Sequence, residues 1–123
     1  MNFIVGALLL HCSEEVTFWL FVALIEDYEM REIYMEGLPG HKKHSTLITQ
    51  LMETQLGELY EHFNEIGICI EMNVEMFATE WYFTLFAKVI PTYQMNAFFD
   101  NFFQFGWCFF HKFALTLLRI LAP

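Results

Sequence analysis

The sequence predicts an all-α fold of six or seven helices joined by short loops, on three observations. Apolar residues recur at three- and four-residue steps over 47–63 and 95–103, which is how a helix buries one face. Gly37-Leu38-Pro39-Gly40, Gly57, Gly67, Pro91 and Gly106 cut the chain into pieces of helical length. No segment alternates as a strand does, and no internal repeat, linker or low-complexity tract appears. The layout is that of a small helical domain or subdomain, with stripes too brief for a coiled coil.

Each element follows in order. Residues 3–12 read as a buried helix. Ser13 is a fitting N-cap for the next, about 14–28, with Glu14 and Glu15 in its positive first turn. Phe18 to Ile25 is apolar throughout, so that helix is expected to be covered on every side. The acid-rich stretch 26–36 leads into the breaker at 37–40. His41–His44 continue the loop, and Ser45 or Thr46 caps a helix over 47–63. There Leu47, Ile48, Leu51, Met52, Leu56 and Leu59 share one side, and Gly57 is a point at which the helix can split. Ile68-Cys69-Ile70 is a connector. Asn73 caps a helix of about 74–90 that Pro91 stops. Met95, Phe98, Phe99, Phe102 and Phe103 mark another helix, and Gly106 separates it from the last, about 107–121.

Composition narrows the function. Charged residues are only 17% of the chain, against about 25% in ordinary domains, and there are 15 Phe. A chain of this length buries roughly two-thirds of its unfolded surface. Some apolar surface is therefore expected to meet a partner, a missing half of the domain or a membrane. The net charge is −9 with six Lys and Arg in all, which argues against nucleic acid and against anionic membrane surfaces. Glu14 to Glu36 hold seven of the 15 acids. His11 and Ser13–Glu15 interrupt the first apolar run, and Gln104, His111, Lys112 and Arg119 interrupt the last. Membrane contact is accordingly not expected. The opening run lacks a basic leader and a small-residue cleavage site, so no signal peptide is expected. Cys12, Cys69 and Cys108 are an odd set without framework spacing, and reduced thiols are expected.

Reactive constellations are weak. Cys108 and His111 have C-x-x-H spacing, and His41 and His44 have H-x-x-H spacing, so zinc is conceivable. The pairs lie far apart without finger-like context, and no metal is expected. Glu58 with Glu61, and Glu75 with Glu80, read as solvated faces rather than acid–base pairs. No Gly-rich phosphate loop and no nucleophile motif occurs, so neither a cofactor nor bound nucleotide is expected. Phe18, Trp19, Phe77, Trp81, Phe86, Phe99 and Phe103 are expected in the core.

Five segments, in order, resemble the C-terminal half of a TBC domain, the helical module of Rab GTPase-activating proteins. Met1-Asn2-Phe3 looks like the tail of that family's glutamine motif. Ser13-Glu14-Glu15 with Phe18-Trp19-Leu20 looks like the next helix start. Leu59-Tyr60-Glu61-His62-Phe63 with Gly67-Ile68 looks like the middle helix. Most specific is Met76-Phe77-Ala78-Thr79-Glu80-Trp81-Tyr82-Phe83-Thr84-Leu85-Phe86 before Ile90-Pro91. The last is Phe98-Phe99-Asp100-Asn101-Phe102-Phe103 before Gly106. Phe105 departs from the acidic residue usual there, and the loop 41–44 is short and polar.

The resemblance implies that 1–123 is a partial TBC domain, its C-terminal half. The family supplies an arginine and a glutamine in trans to a Rab, one offsetting charge on the transferring phosphoryl group and the other orienting the water. Both motifs belong to sequence upstream of Met1-Asn2. No catalytic residue is therefore expected in this chain. Met1 and Asn2 are the positions adjacent to the glutamine motif, with a packing role. Arg31 is expected to pair with Asp27, Glu32 or solvent, and Arg119 to complement a helix C-terminus. The implied partners are a Rab and the missing N-terminal half. The implied location is cytoplasmic, with a peripheral place on endomembranes left open. The other reading is a non-catalytic interaction module that binds a Rab or a larger assembly.

Overall fold

The computed structural model describes residues 2–67 and 70–121, and within 70–84 it describes the side chains of Met76 and of residues 78–84. The helices are α1 (Asn2–Leu9), α2 (Glu14–Glu26), α3 (Arg31–Tyr34), α4 (Pro39–Gln55), α5 (Gly57–Glu65), α6 (Ile70–Thr84), α7 (Met95–Phe105) and α8 (Trp107–Leu121). A 3-10 turn, Thr92–Gln94, precedes α7. No strand occurs among the described residues, so the fold is all-α, as the sequence predicts. The eighth helix is the short α3, hidden in sequence by the acid-rich stretch.

Ser13 caps α2 as expected: the Val16 N–H donates to its Oγ at 3.3 Å. His11 Nε2 donates to the Thr92 carbonyl at 3.0 Å and ties the α1–α2 corner to the 3-10 turn. Gly57 does mark a break, with Leu56 between α4 and α5. Gly106, at φ +69°, makes the sharp joint between α7 and α8.

Several boundaries differ from the sequence expectation, most of all those of α4 and α6. His41–His44 lie in α4, not in a loop, and Ser45 is interior rather than a cap. The helix starts at Pro39, whose fixed φ suits the first turn and whose missing N–H would have been unpaired there. Leu38 in the left-handed region (φ 51°) turns the chain into it. Further on, α6 starts at Ile70, ahead of Asn73, and ends at Thr84 rather than near 90. Leu85 and Phe86 are both left-handed, at φ 48° and 63°, and reverse the chain before Pro91 is reached. Tyr34 Oη occupies the Phe83 carbonyl at this exit, at 2.7 Å.

That reversal drives Phe86 into the centre of the core. Its ring lies 4.8 Å from Phe110, 4.9 Å from Phe113, 5.0 Å from Trp81 and 5.6 Å from Phe98, centroid to centroid. Tyr82, Phe86, Phe102 and Phe110 are the largest fully buried side chains. Each such ring removes roughly 150–250 Å² from water, so this cluster dominates the apolar burial.

Candidate functional site

Two places bear on function: the α1–α2 surface and a buried junction of α4, α6 and α8. On the first, Asn2 is exposed at the start of α1 and Met1 lies outside the described residues. Phe18 and Trp19 were expected in the core, yet they are 58% and 62% exposed. The cause is helix geometry. Thr17 and Leu24 take the buried face of α2, which leaves 18 and 19 on the far side. The two rings meet edge to face at 5.2 Å. Phe3, Leu10 and Val16 are exposed as well, and Lys88 Nζ stands 4.8 Å above the Phe3 ring.

The remaining expected core positions fall as follows. Trp81, Phe86 and Phe99 are buried, and Phe103 is half-buried against the core. The Phe77 side chain lies outside the described residues. Arg31 pairs with Glu26, which the sequence reading had not named. Arg119 is exposed near the end of α8, beside a cavity of about 570 Å³ that Leu56, Leu59 and His62 also line.

The second place was not foreseen as a unit. His41 and His44 from α4, Tyr82 from α6, and Trp107 and His111 from α8 form a stack of rings. His44 lies between Trp107 at 4.4 Å and Tyr82 at 5.3 Å, with His111 at 5.3 Å. All three histidines are buried. His41 Nε2 is 2.8 Å from Thr79 Oγ1, and its ring stacks on Phe83. Tyr82 Oη donates to the His44 carbonyl at 2.8 Å. His111 Nδ1 donates to the Trp107 carbonyl at 2.9 Å, so the neutral ring presents a bare Nε2, 3.3 Å from Tyr82 Oη. His44 Nδ1 and Ser45 Oγ are buried without a hydrogen-bond partner.

The electrostatics match this packing. Burial, then the charges of His111, Lys43 and His41, push His44 down from 6.5 to about 4. Burial also lowers His111, opposed by its bond to Trp107. Burial raises the Tyr82 phenol well above its usual range. His44, His111 and Tyr82 are therefore neutral near pH 7, and the stack holds three helices together. Both spacings weighed for zinc contribute here, as packing: His41, His44 and His111 converge while Cys108 is exposed. No group of three or more His, Cys, Asp or Glu among the described residues is arranged to hold a metal ion. Cys12 and Cys108 are free thiols, and Cys69 lies outside the described residues.

The family model of the Rab-GTPase-TBC domain matches residues 1–123. The chain belongs to the Rab-GTPase-TBC family. It is 33% identical over 119 residues to "GTPase-activating protein GYP5" of Saccharomyces cerevisiae, covering 96% of this chain and 13% of that protein. It is 32% identical over 117 residues to "Rab GTPase-activating protein eat-17" of Caenorhabditis elegans, covering 95% and 13% respectively. It is 31% identical over 118 residues to "TBC1 domain family member 4" of Mus musculus, covering 96% and 9%. The chain thus spans 13% or less of the length of these relatives. No solved structure matches it significantly. Within the TBC pattern, the segment 76–86 runs through α6 into the left-handed turn and supplies Trp81, Tyr82 and Phe86 to the core. Among the described residues no helix is long and apolar enough to cross a membrane.

Proposed function

We propose that residues 1–123 are the C-terminal half of a TBC domain. Joined to an N-terminal half, they would promote GTP hydrolysis by a Rab in trans. The observation that carries the reading is a family match along the whole chain, 1–123, that spans so little of each relative. The arginine that offsets phosphoryl charge and the glutamine that orients water come from the other half. In other GTPase systems an arginine finger is worth about 10³–10⁵ in rate. Neither arginine among the described residues suits that task. Arg31 is engaged by Glu26, and Arg119 sits at the far end of α8. The chain's own contribution is a scaffold. Asn2 stands beside the glutamine position, and the Phe18–Trp19 surface is an apolar area for the other half to cover.

The test is GTP turnover by a panel of Rab proteins. The chain alone is expected to leave turnover at the intrinsic rate. The same chain fused to the N-terminal half of a TBC domain from a relative is expected to raise it. Robust stimulation by the chain alone would overturn the assignment of chemistry. The exposed Phe18 and Trp19 also favour a second reading, a non-catalytic module that binds a Rab or a larger assembly through this surface. Stable binding of a Rab without faster turnover, even in the fused form, would decide for that reading.

A further inference from the structure

We propose that the His44–His111 pair is an acid-sensitive latch that holds the start of α8 against α4 and α6 while both rings are neutral and lets it go when they gain protons. The inference concerns this chain's own conformational equilibrium and stands apart from Rab recognition.

The geometry opposes charge most strongly at His44. Its ring is sandwiched between Trp107 and Tyr82, and a second histidine, His111, stands at 5.3 Å between ring centroids. His44 Nδ1 is buried and has no partner to receive a proton's charge. The only bond at His111 Nδ1 already uses an N–H, so a second proton must go to Nε2. There the Tyr82 hydroxyl oxygen, its own hydrogen committed to the His44 carbonyl, can accept at 3.3 Å, so what opposes the charge is burial beside the His44 ring. Protonated His111 would therefore face protonated His44 at close range inside the protein.

Among the described residues the surroundings add positive charge, not negative. On α4 the neighbours are His41 and Lys43, close to the positive end of the helix. Lys43 Nζ lies 3.9 Å from Glu29 at the surface. From α3, Glu32 meets α4 through its backbone at Gly40, and its side chain is in solvent. Among the described residues of α6 the polar groups facing the stack are Tyr82 and Thr79, while Glu80 is turned outward to Lys88 at 3.1 Å. From α8, Lys112 and Cys108 are exposed. Among the described residues no carboxylate forms an ion pair with His44 or His111. The depressed pKa of both rings agrees with this arrangement.

Release is local because few ties hold this end of α8. Trp107 Nε1 donates to the Tyr28 carbonyl at 2.6 Å, and the rest is ring packing. Gly106 gives a hinge between α7 and α8. α7 lays Phe98 and Phe102 against α8, with ring centroids 5.4 Å from Phe109 and 5.3 Å from Trp107, whereas α2 packs on α1 and α3. Opening would uncover Trp107, Phe110 and the inner face of α7 while leaving α2 packed.

The experiment is amide hydrogen exchange, corrected for intrinsic rates, on the full chain at about pH 7.5 and about pH 5. Residues 107–114 are expected to lose about 30-fold more protection than 14–26, the effect of one ring moving from 6.5 to about 4. In His44→Phe, which keeps a ring in the sandwich and leaves His111 alone to titrate, that excess is expected to shrink severalfold. Equal loss in His44→Phe, or parallel loss in every helix, would overturn the latch. Should the variant fail to fold, the histidine ring protons of the unmodified chain give the answer by NMR. Titration of His44 and His111 below the ordinary histidine range supports the latch, and titration at that range refutes it.

Discussion

Of the six glycines Gly40 alone is pressed against a neighbouring helix, and replacing it with alanine tests the packing of α3 on α4. A Cβ there would lie 2.8 Å from the Glu32 carbonyl carbon and 2.9 Å from both Glu32 Cβ and Ile33 N. Carbon atoms pack best at about 3.5–4.0 Å, so the shortfall is more than half an ångström, and two of the three obstacles are backbone. Backbone of α3 cannot withdraw easily. Ile33 is fully buried, and Tyr34 is tied to the Phe83 carbonyl at 2.7 Å. Overpacking of this kind costs about 1–3 kcal/mol. Alanine recovers up to about 1 kcal/mol over glycine in a helix, less at a first turn. The net expectation is a loss of about 1–2 kcal/mol in Gly40→Ala. Urea unfolding should show a lower midpoint with an unchanged slope. Gly6 is the control. It lies inside α1 with nothing within 4 Å of an added Cβ, so Gly6→Ala should gain about 0.5–1 kcal/mol. A Gly40→Ala protein as stable as the parent would refute the close approach of α3 and α4.

Other outcomes follow from the same contacts. His44 has a folded pKa of about 4 against 6.5, so the unfolded chain binds more protons as pH falls, and stability is complete above about pH 6.5 and drains away toward pH 4. Between about pH 7.5 and about pH 5 the loss from this ring is about 2 kcal/mol, read from urea midpoints at each pH. Tyr82→Phe removes the bond to the buried His44 carbonyl and should cost about 1–3 kcal/mol by the same assay. Phe110→Ala should cost about 3–5 kcal/mol, while Phe18→Ser and Trp19→Ser should each change stability by less than about 0.5 kcal/mol in this chain. In a fused TBC domain the same two surface changes should weaken the joint between halves, seen as a lower thermal midpoint of the fusion.

The helices, and the family that their aromatic pattern resembles, were legible because periodic apolar residues report burial directly. What the pattern could not convey was the partner on each face. Phe18 to Ile25 reads as apolar all round, and apolar all round implies cover on all sides. In the described chain only one side of α2 is covered, which is why Phe18 and Trp19 were misplaced while Thr17, a polar residue, is buried. The histidines failed in the opposite sense. His41-Lys42-Lys43-His44 looks like a polar loop because composition averages over the two faces of a helix. Read at helical spacing, Gly40, His41, His44, Ser45, Ile48 and Met52 form one buried stripe, and Lys42 and Lys43 lie outside it. A histidine is amphipathic enough to serve either face, so no single-residue scale would have found that stripe.

The two misreadings have one physical root, and it bears on what each region does. A buried polar ring is tolerated where neighbours satisfy or neutralise it, and an exposed aromatic ring where something else covers it or where its cost is small. The junction of α4, α6 and α8 meets the first condition only while His44 and His111 are neutral, so it ties the packing of α8 to proton concentration. The outer side of α2 meets the second condition most readily if another helical surface lies on Phe18 and Trp19. The two lie on different helices and draw on different forces. Acid should therefore loosen α8 without changing the affinity of the α2 surface for its cover, and serine at 18 and 19 should do the reverse.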